Sequence, residues 1–233
     1  MSLWKKILSR PERDLPECIK LQATLKKRLN LKAAIEETDF VVFDTELTGL
    51  DFKRDSIVSI GALRMKGGTI QPTGSFYRLV KPETELKRRS VVVHEITPTE
   101  LQEAASLDEV LEEFIEFIGD AVLVGHFVHI DVNFVSRALK SHFGVTLQNR
   151  AVDTGSLLEW LCDNDSRFVR HYRGITAKKD LFSIAKKYGV PAEKAHNAFY
   201  DAYVTAQLFQ RFLFFLCEGG VKRLKDLLIV GKA

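Results

Sequence analysis

Five residues in three separate segments of this 233-residue chain have the types that metal-assisted hydrolysis of a phosphodiester requires. A pair of hard divalent cations prefers anionic oxygen ligands, with positions left for water and a substrate phosphate. Imidazole is the side chain best suited to exchange a proton near neutral pH. The sequence therefore predicts a two-metal site with one general base. The candidates are Asp44, Glu46, Asp131, His196 and Asp201.

The first segment predicts a strand with two acids on one face. Residues 41–43 are apolar, and Gly49 marks the turn that follows. Side chains alternate along a strand, so Asp44 and Glu46 project together. Two neighbouring carboxylates resist joint ionisation unless a cation lies between them. Such a pair also occurs at ordinary exposed strand ends, so the motif alone leaves both interpretations open.

The third segment predicts a long helix that begins beside a histidine. Residues 198–216 carry apolar side chains at helical spacing, and Asn197 is a preferred N-cap type. Asp201 then lies in the first turn, where the helix dipole favours a charged carboxylate. His196 precedes the helix and reaches the same site only from the loop, which predicts a mobile side chain. The alternative is an ordinary polar residue at a helix start.

The middle segment predicts a short buried strand followed by a helix. Residues 121–125 are mostly apolar, and residues 132–143 have apolar side chains at helical spacing. Asp131 opens that helix, so it is either a metal ligand or a simple cap. The co-occurrence of three such segments favours the metal ligand.

The three segments resemble the motifs of the DEDDh, or DnaQ-like, 3'-5' exonucleases of the ribonuclease H-like superfamily. They read FDTELTGL, VGHFVHIDVNFV and HNAFYDAYVTAQLF, and the resemblance covers residues 39–216. It implies an α/β fold in which a five-stranded mixed sheet is flanked by helices. It also implies that His196 deprotonates the attacking water. The resemblance further implies that two Mg²⁺ or Mn²⁺ ions are held by Asp44, Glu46, Asp131 and Asp201.

The resemblance also provides substrate-contact candidates and shows departures from the family pattern. His94 lies in a segment similar to one whose histidine approaches the terminal nucleotide, although Glu95 replaces the usual glycine. Leu47 stands where the family commonly has threonine, and Phe127 stands where asparagine is frequent. These departures concern substrate details and leave the metal ligands intact. The substrate-contact candidates are Thr45, Leu47, Leu50 and His94.

Composition limits the compartment and the partners. The chain has three widely spaced cysteines, no apolar run of membrane-spanning length and no signal-peptide pattern at its start, so we expect a cytoplasmic protein that does not bind a membrane. Residues 1–38 carry a net charge of +4 and the remainder −1. Phosphate contacts must therefore come from metals and local patches. The basic stretches 81–89 and 167–179 are either such patches or solvated loops.

Three regions are expected along the chain. Residues 1–38 form an N-terminal helical extension that braces the domain, shields its surface or engages a partner. Residues 39–218 form the exonuclease domain, and residues 219–233 a short C-terminal helix or tail. Within the domain we expect strands at 55–65 and 75–80 and a helix at 107–118. Residues 162–176 are expected to form a polar loop that acts as a flap beside the substrate. Asp153 is expected to cap the helix that follows it.

Two classes of function remain on the sequence alone. The first is an exonuclease that releases nucleoside monophosphates from single-stranded 3' ends, with DNA proofreading or repair favoured and RNA 3'-end trimming as the alternative. A DNA polymerase or another replication or repair protein is the candidate partner. The second class is a non-catalytic polymerase-binding or nucleic-acid-binding module. The intact set of acids favours the enzyme, and the chain length favours a free-standing enzyme or a small subunit.

Overall fold

A mixed five-stranded sheet forms the centre of the computed structural model, which describes residues 15–22, 25, 29–81, 96, 98–192 and 196–233. Its strands are β1 (Asp39–Leu47), β2 (Ile57–Lys66), β3 (Thr69–Leu79), β4 (Val122–Gly125) and β5 (Ala151–Asp153). The spatial order is β3-β2-β1-β4-β5. The pairs β1–β2 and β2–β3 are antiparallel, whereas β1–β4 and β4–β5 are parallel. The predicted fold class is confirmed.

Helices cover both faces of this sheet. Alternation along β1 sends Val41 and Phe43 into one apolar cluster and Phe40 and Val42 into the other. The described helices are α1 (Glu17–Gln22), α2 (Pro98–Gln102), α3 (Leu107–Ile118), α4 (His129–Phe143), α5 (Thr154–Asn164), α6 (Ser166–His171), α7 (Leu181–Lys187), α8 (Ala198–Glu218) and α9 (Leu224–Val230).

Aromatic contacts join β1 to one helix on each face of the sheet. The Phe43 ring lies 5.6 Å from the Phe114 ring of α3, on one face of the sheet. On the opposite face, the Phe40 ring lies 5.2 Å from the Phe209 ring of α8 in an edge-on arrangement. Asp44 and Glu46 follow the alternation of Phe40 and therefore lie on the α8 side.

Strand β3 begins earlier than the sequence predicted. The expected start was residue 75, but pairing with β2 begins at Thr69, directly after the Gly67–Gly68 turn. This early part contains Pro72, which cannot donate a backbone hydrogen bond to a neighbouring strand. It is tolerated here because β3 is an edge strand.

The expected polar loop at 162–176 is a wrong prediction for most of its length. Helix α5 continues to Asn164, and α6 occupies Ser166–His171. The Asp165 carboxylate caps α6 by accepting the backbone N–H groups of Arg167 and Phe168. Phe168 is fully buried, which anchors the short helix in the core. The segment is therefore a packed part of the fold rather than a flap.

The segments on either side of the predicted exonuclease domain are joined to each other by backbone hydrogen bonds. The N–H of Ile35 donates to the carbonyl oxygen of Lys222, and the N–H of Leu224 donates to that of Ala33. Leu224 and Leu227 of α9 belong to the main core cluster. The domain boundaries at 38 and 218 stay predictions. Among the described helices, none combines the length and the apolar character needed to cross a bilayer.

Candidate active site

Strand β1 and helix α8 bring three carboxylates together. Asp44 and Glu46 lie on the face of β1 that α8 covers, and Asp201 is the fourth residue of α8. One oxygen from each of these carboxylates lies within 4.8 Å of one from each of the others. Glu46 and Asp201 are buried, whereas Asp44 is partly exposed to solvent.

Gly61 allows α8 to approach the sheet this closely. It pairs with Asp44 across β1 and β2. A Cβ at this position would lie 2.1 Å from the backbone nitrogen of Phe199 and 2.3 Å from the carbonyl carbon of Ala198. Only glycine therefore lets the first turn of α8 rest on the strand. The sequence analysis missed this residue, although a glycine within an apolar strand is a known signal of close backbone approach.

The start of α8 is fixed by its cap, and His196 lies just outside it. The Asn197 side chain accepts the backbone N–H of Tyr200 at 3.1 Å, as the sequence predicted. His196 is exposed and has a left-handed backbone with φ of 67°. That conformation is uncommon for a residue other than glycine and is often found at functional sites. The predicted placement of His196 in the preceding loop is observed, and its mobility stays a prediction.

Asp131 is held by β1 rather than acting as a helix cap. Helix α4 begins at His129 with Val128 at the N-cap position, so Asp131 is the third helical residue and the cap interpretation is wrong. Its Oδ1 accepts the backbone N–H of Thr45 at 3.0 Å and the Thr45 hydroxyl at 2.5 Å. Asp131 is buried and comes from the face opposite α8.

Burial holds the pKa values of the four acids well above their usual range, and repulsion from the other acids adds to this for Asp44 and Glu46. Burial is the largest cause for each of them. The charges of neighbouring acids raise the pKa of Glu46 further, to about 8, and also push the pKa of Asp44 upward. The pKa values of Asp131 and Asp201 are about 7, because hydrogen bonds from Thr45 and from the backbone near His196 partly offset burial.

The cluster fits a divalent cation. Oδ1 of Asp201 is buried and has no hydrogen-bond partner among the described residues. Buried polar atoms in proteins almost always have a hydrogen-bond partner. A buried carboxylate oxygen that has none, in a group beside two other carboxylates, is therefore expected to bind a cation. Oxygen ligands alone suit Mg²⁺ or Mn²⁺ better than a thiophilic metal. Asp44, Glu46 and Asp201 therefore have the donor chemistry of a Mg²⁺ or Mn²⁺ site.

The substrate-contact candidates have different environments. Thr45 is buried and its hydroxyl donates a hydrogen bond to Asp131, whereas Leu47 is partly buried against the core. Leu50 is 69% exposed in the loop after β1, where a ligand can touch it. His94 lies outside the described residues. Their roles stay predictions.

His126 of the second motif has a structural contact away from the acids. Its Nε2 lies 2.7 Å from the carbonyl oxygen of Lys179, and its Nδ1 lies 3.0 Å from the Thr154 hydroxyl. A carbonyl can only accept, so Nε2 carries the proton. The ring thereby ties the end of β4 to the segment that precedes α7. Asp153 is confirmed as a cap, because its carboxylate accepts the backbone N–H of Ser156 at 3.0 Å.

The raised pKa values predict an unusual pH dependence of stability without divalent cations. The folded protein keeps protons on Glu46, Asp131 and Asp201 that the unfolded chain releases, so the free energy of unfolding falls as pH rises from about 4 to about 8. We expect a loss of several kcal/mol, at about 1.4 kcal/mol for each unit of pKa shift. Urea unfolding in a chelator at about pH 5 and pH 8 measures it. Millimolar Mg²⁺ should restore stability at the higher pH, and a flat profile would contradict the account.

A sequence comparison shows the family of this chain. The sequence profile described as "Exonuclease", of the RNase T type, matches residues 41–209. The chain therefore belongs to this exonuclease family, which confirms the family prediction.

Two relatives from the DNA polymerase III group are similar in sequence to this chain. It is 32% identical over 201 residues to a DNA polymerase III PolC-type protein of Thermotoga petrophila, covering 86% of this chain and 14% of that protein. It is also 32% identical over 187 residues to the DNA polymerase III subunit epsilon of Aquifex aeolicus, covering 80% of this chain and 86% of that subunit. The chain thus spans a small part of the first relative and most of the second.

Solved structures support the same fold. E. coli exonuclease I in complex with a dT13 oligonucleotide matches with a TM-score of 0.66 and 15% identity, over 79% of this chain and 43% of that one. Exonuclease X in complex with 5'-overhanging duplex DNA matches with a TM-score of 0.59 and 19% identity, over 82% of this chain and 99% of that one.

Proposed function

We propose that this protein is a metal-dependent 3'-5' exonuclease that releases nucleoside monophosphates from single-stranded DNA ends. The observation that carries the proposal is the convergence of Asp44, Glu46 and Asp201, whose ligand oxygens lie within 4.8 Å of one another. Buried carboxylates so close together are costly unless a cation neutralises them. When bound, two divalent cations neutralise charge on the phosphodiester and lower the pKa of water.

The residues of the chain have separate roles in this proposal. Asp44, Glu46 and Asp201 hold the ions, Mg²⁺ or Mn²⁺, and Asp131 completes the set from the opposite side of β1. Thr45 positions Asp131 by donating two hydrogen bonds to one carboxylate oxygen. His196 accepts the proton of the attacking water from the loop before α8. Its side chain is exposed, as this role requires.

The His196→Ala variant should bind divalent cations normally and lose most turnover. Removal of a general base costs about 10²–10⁴-fold in rate, whereas the carboxylates stay in place. Calorimetric titration with Mn²⁺ measures binding, and initial rates across pH measure turnover. At each pH the wild type should turn over at least about 100-fold faster than the variant. His171→Ala, at an exposed histidine packed on Tyr172 and Phe215, is the control. Loss of Mn²⁺ binding in His196→Ala would contradict the assigned role.

DNA is favoured as the substrate because both relatives are named as parts of DNA polymerase III. By the same reasoning, we propose proofreading or repair beside a DNA polymerase in the cytoplasm. RNA 3'-end trimming stays the alternative, because carboxylates and metals hold a phosphodiester without reading the 2' hydroxyl.

Incubation of the pure protein and Mg²⁺ with 5'-labelled single-stranded DNA, duplex DNA and RNA of one sequence tests the proposal. We expect a ladder that shortens from the 3' end, fastest on single-stranded DNA and abolished by chelator. Faster shortening of RNA would favour the alternative. Binding of all three without cleavage under any divalent ion would instead indicate a non-catalytic module.

A further inference from the structure

A basic groove of about 560 Å³ runs along helix α7. Its lining includes the exposed side chains of Lys178 and Lys186, with the partly buried Phe182 and Ser183 between them. Residues 189–192 form the other wall. Phe182 and Lys186 are four residues apart on the helix, so they lie on one face. The groove therefore presents two ammonium groups together with an aromatic ring.

The groove lies next to the candidate active site. The ring of Phe182 is 6.3 Å from the ring of His196. A strand that occupies the groove is thus placed to present its end to the acids that α8 and β1 bring together.

The two lysines are available to a ligand. Within the described part of the chain, the ion pairs of this region join Arg167 to Asp165 and Lys179 to Glu159, and they include neither Lys178 nor Lys186. The carboxylate of Asp180, which neighbours Lys178, accepts the backbone N–H of Ser183 at 2.9 Å as the N-cap of α7. Lys178 belongs to the stretch 167–179 that the sequence offered as a basic patch, and the role of the rest of that stretch stays a prediction.

The segment that carries Lys178 is held in place. The carbonyl oxygen of Lys179 is bound by the His126 ring at 2.7 Å. The Lys179 ammonium group pairs with Glu159 of α5 at 2.5 Å. On its inner face, α7 buries Leu181, Ile184 and Ala185. A preorganised backbone lowers the entropic cost of binding a flexible strand.

We propose that this groove binds single-stranded nucleic acid on the 5' side of the terminal nucleotide, and this inference rests on the proposed exonuclease function. Lys178 and Lys186 contact phosphates, and Phe182 stacks on a base. A positively charged groove with an aromatic platform is the arrangement that recognises single strands without reading sequence. Stacking on Phe182 requires an unpaired base, so a single strand fits better than a duplex.

Fluorescence anisotropy with labelled oligo(dT) of about 16 nucleotides, at the upper end of single-strand site sizes, tests this groove. The measurement is made in a chelator, so that it reports binding whether or not the protein hydrolyses DNA. The variant is Lys178→Gln with Lys186→Gln. The control neutralises two exposed lysines that do not line the groove, Lys140→Gln with Lys222→Gln. Thermal unfolding verifies that each variant is folded.

We expect the groove variant to bind about tenfold more weakly at low salt. Its slope of log affinity against log salt should be smaller by about 1.4, because each phosphate contact on a single strand contributes about 0.7. The control should retain the wild-type slope. An unchanged slope in the groove variant, an equal loss in the control, or no measurable binding by the wild type would overturn the proposal.

Phe182→Leu tests the single-strand preference separately. Leucine keeps most of the packing volume and removes the stacking face, so affinity for oligo(dT) should fall by about fivefold or more. Affinity for a blunt duplex should not change. An equal loss on both ligands would overturn the assignment to single strands. Failure of the exonuclease itself would be seen instead as the absence of laddering by the wild type.

Discussion

The Asp201→Asn variant should lose at least about 100-fold in hydrolysis rate while its metal-free form becomes more stable at alkaline pH. The rate falls because the site loses one charged oxygen ligand, and preorganised charges of this kind stabilise the transition state. Stability rises because the substitution removes a buried charge whose pKa is raised to about 7. Above that pH the charge costs a few kcal/mol, which asparagine of the same shape avoids. The measurements are initial rates with Mg²⁺ and urea unfolding in a chelator at about pH 8.

Opposite changes in rate and stability distinguish a ligand role from simple structural damage. A residue needed only for folding would lower both quantities when replaced. Asp120→Asn is the matched control, since it makes the same chemical change at an exposed acid away from the cluster. It should alter neither the rate nor the stability. Full activity of Asp201→Asn with metal present would refute the assignment.

Gly61→Ala should destabilise the fold by about 3 kcal/mol or more, at the upper end of overpacking penalties. The added methyl group meets the backbone of Ala198 and Phe199 at 2.1 to 2.4 Å, and a helix backbone cannot rotate away as a side chain can. The first turn of α8 must therefore move off the strand and carry Asp201 with it. A displacement near 1 Å costs about 100-fold in rate, so activity should fall even where the variant folds. Urea unfolding and initial rates measure the two effects.

Gly68→Ala is the matched control for this variant. Gly68 ends the neighbouring turn, has nothing within 4 Å of the site of a Cβ and does not have positive φ. Its replacement should leave the free energy of unfolding within about 0.5 kcal/mol. If Gly61→Ala matched Gly68→Ala in both stability and rate, the close approach of α8 to β2 would not be what positions Asp201.

The elements that carry the acids follow from local sequence. Alternation along β1 predicted that Asp44 and Glu46 share a face, and the cap at Asn197 predicted Asp201 in the first turn of α8. The helix at 107–118 was predicted with its observed bounds, because its apolar positions repeat at helical spacing and acids cover the outer face. These features depend only on residues that are close together along the chain, so they can be predicted from a single sequence.

The features that the sequence missed depend on residues that are distant along the chain. Thr45 binds Asp131 across 86 positions, and only packing of α4 against β1 brings them together. The approach of α8 to Gly61 likewise requires the folded sheet. Helix α6 was missed because it is short and polar, and its single core anchor, Phe168, gives no periodic signal. Propensity is a weak prior for such segments, and tertiary burial decides them.

Anomalous diffraction from crystals soaked in Mn²⁺ tests the central claim most directly. We expect a strong anomalous peak bordered by the carboxylates of Asp44, Glu46 and Asp201. This peak should be lost in Asp201→Asn. Mn²⁺ serves because it accepts the same oxygen ligands as Mg²⁺ and scatters anomalously. The contradictory result is Mn²⁺ bound elsewhere, with no peak at these three acids, in a protein that hydrolyses DNA in the same solution.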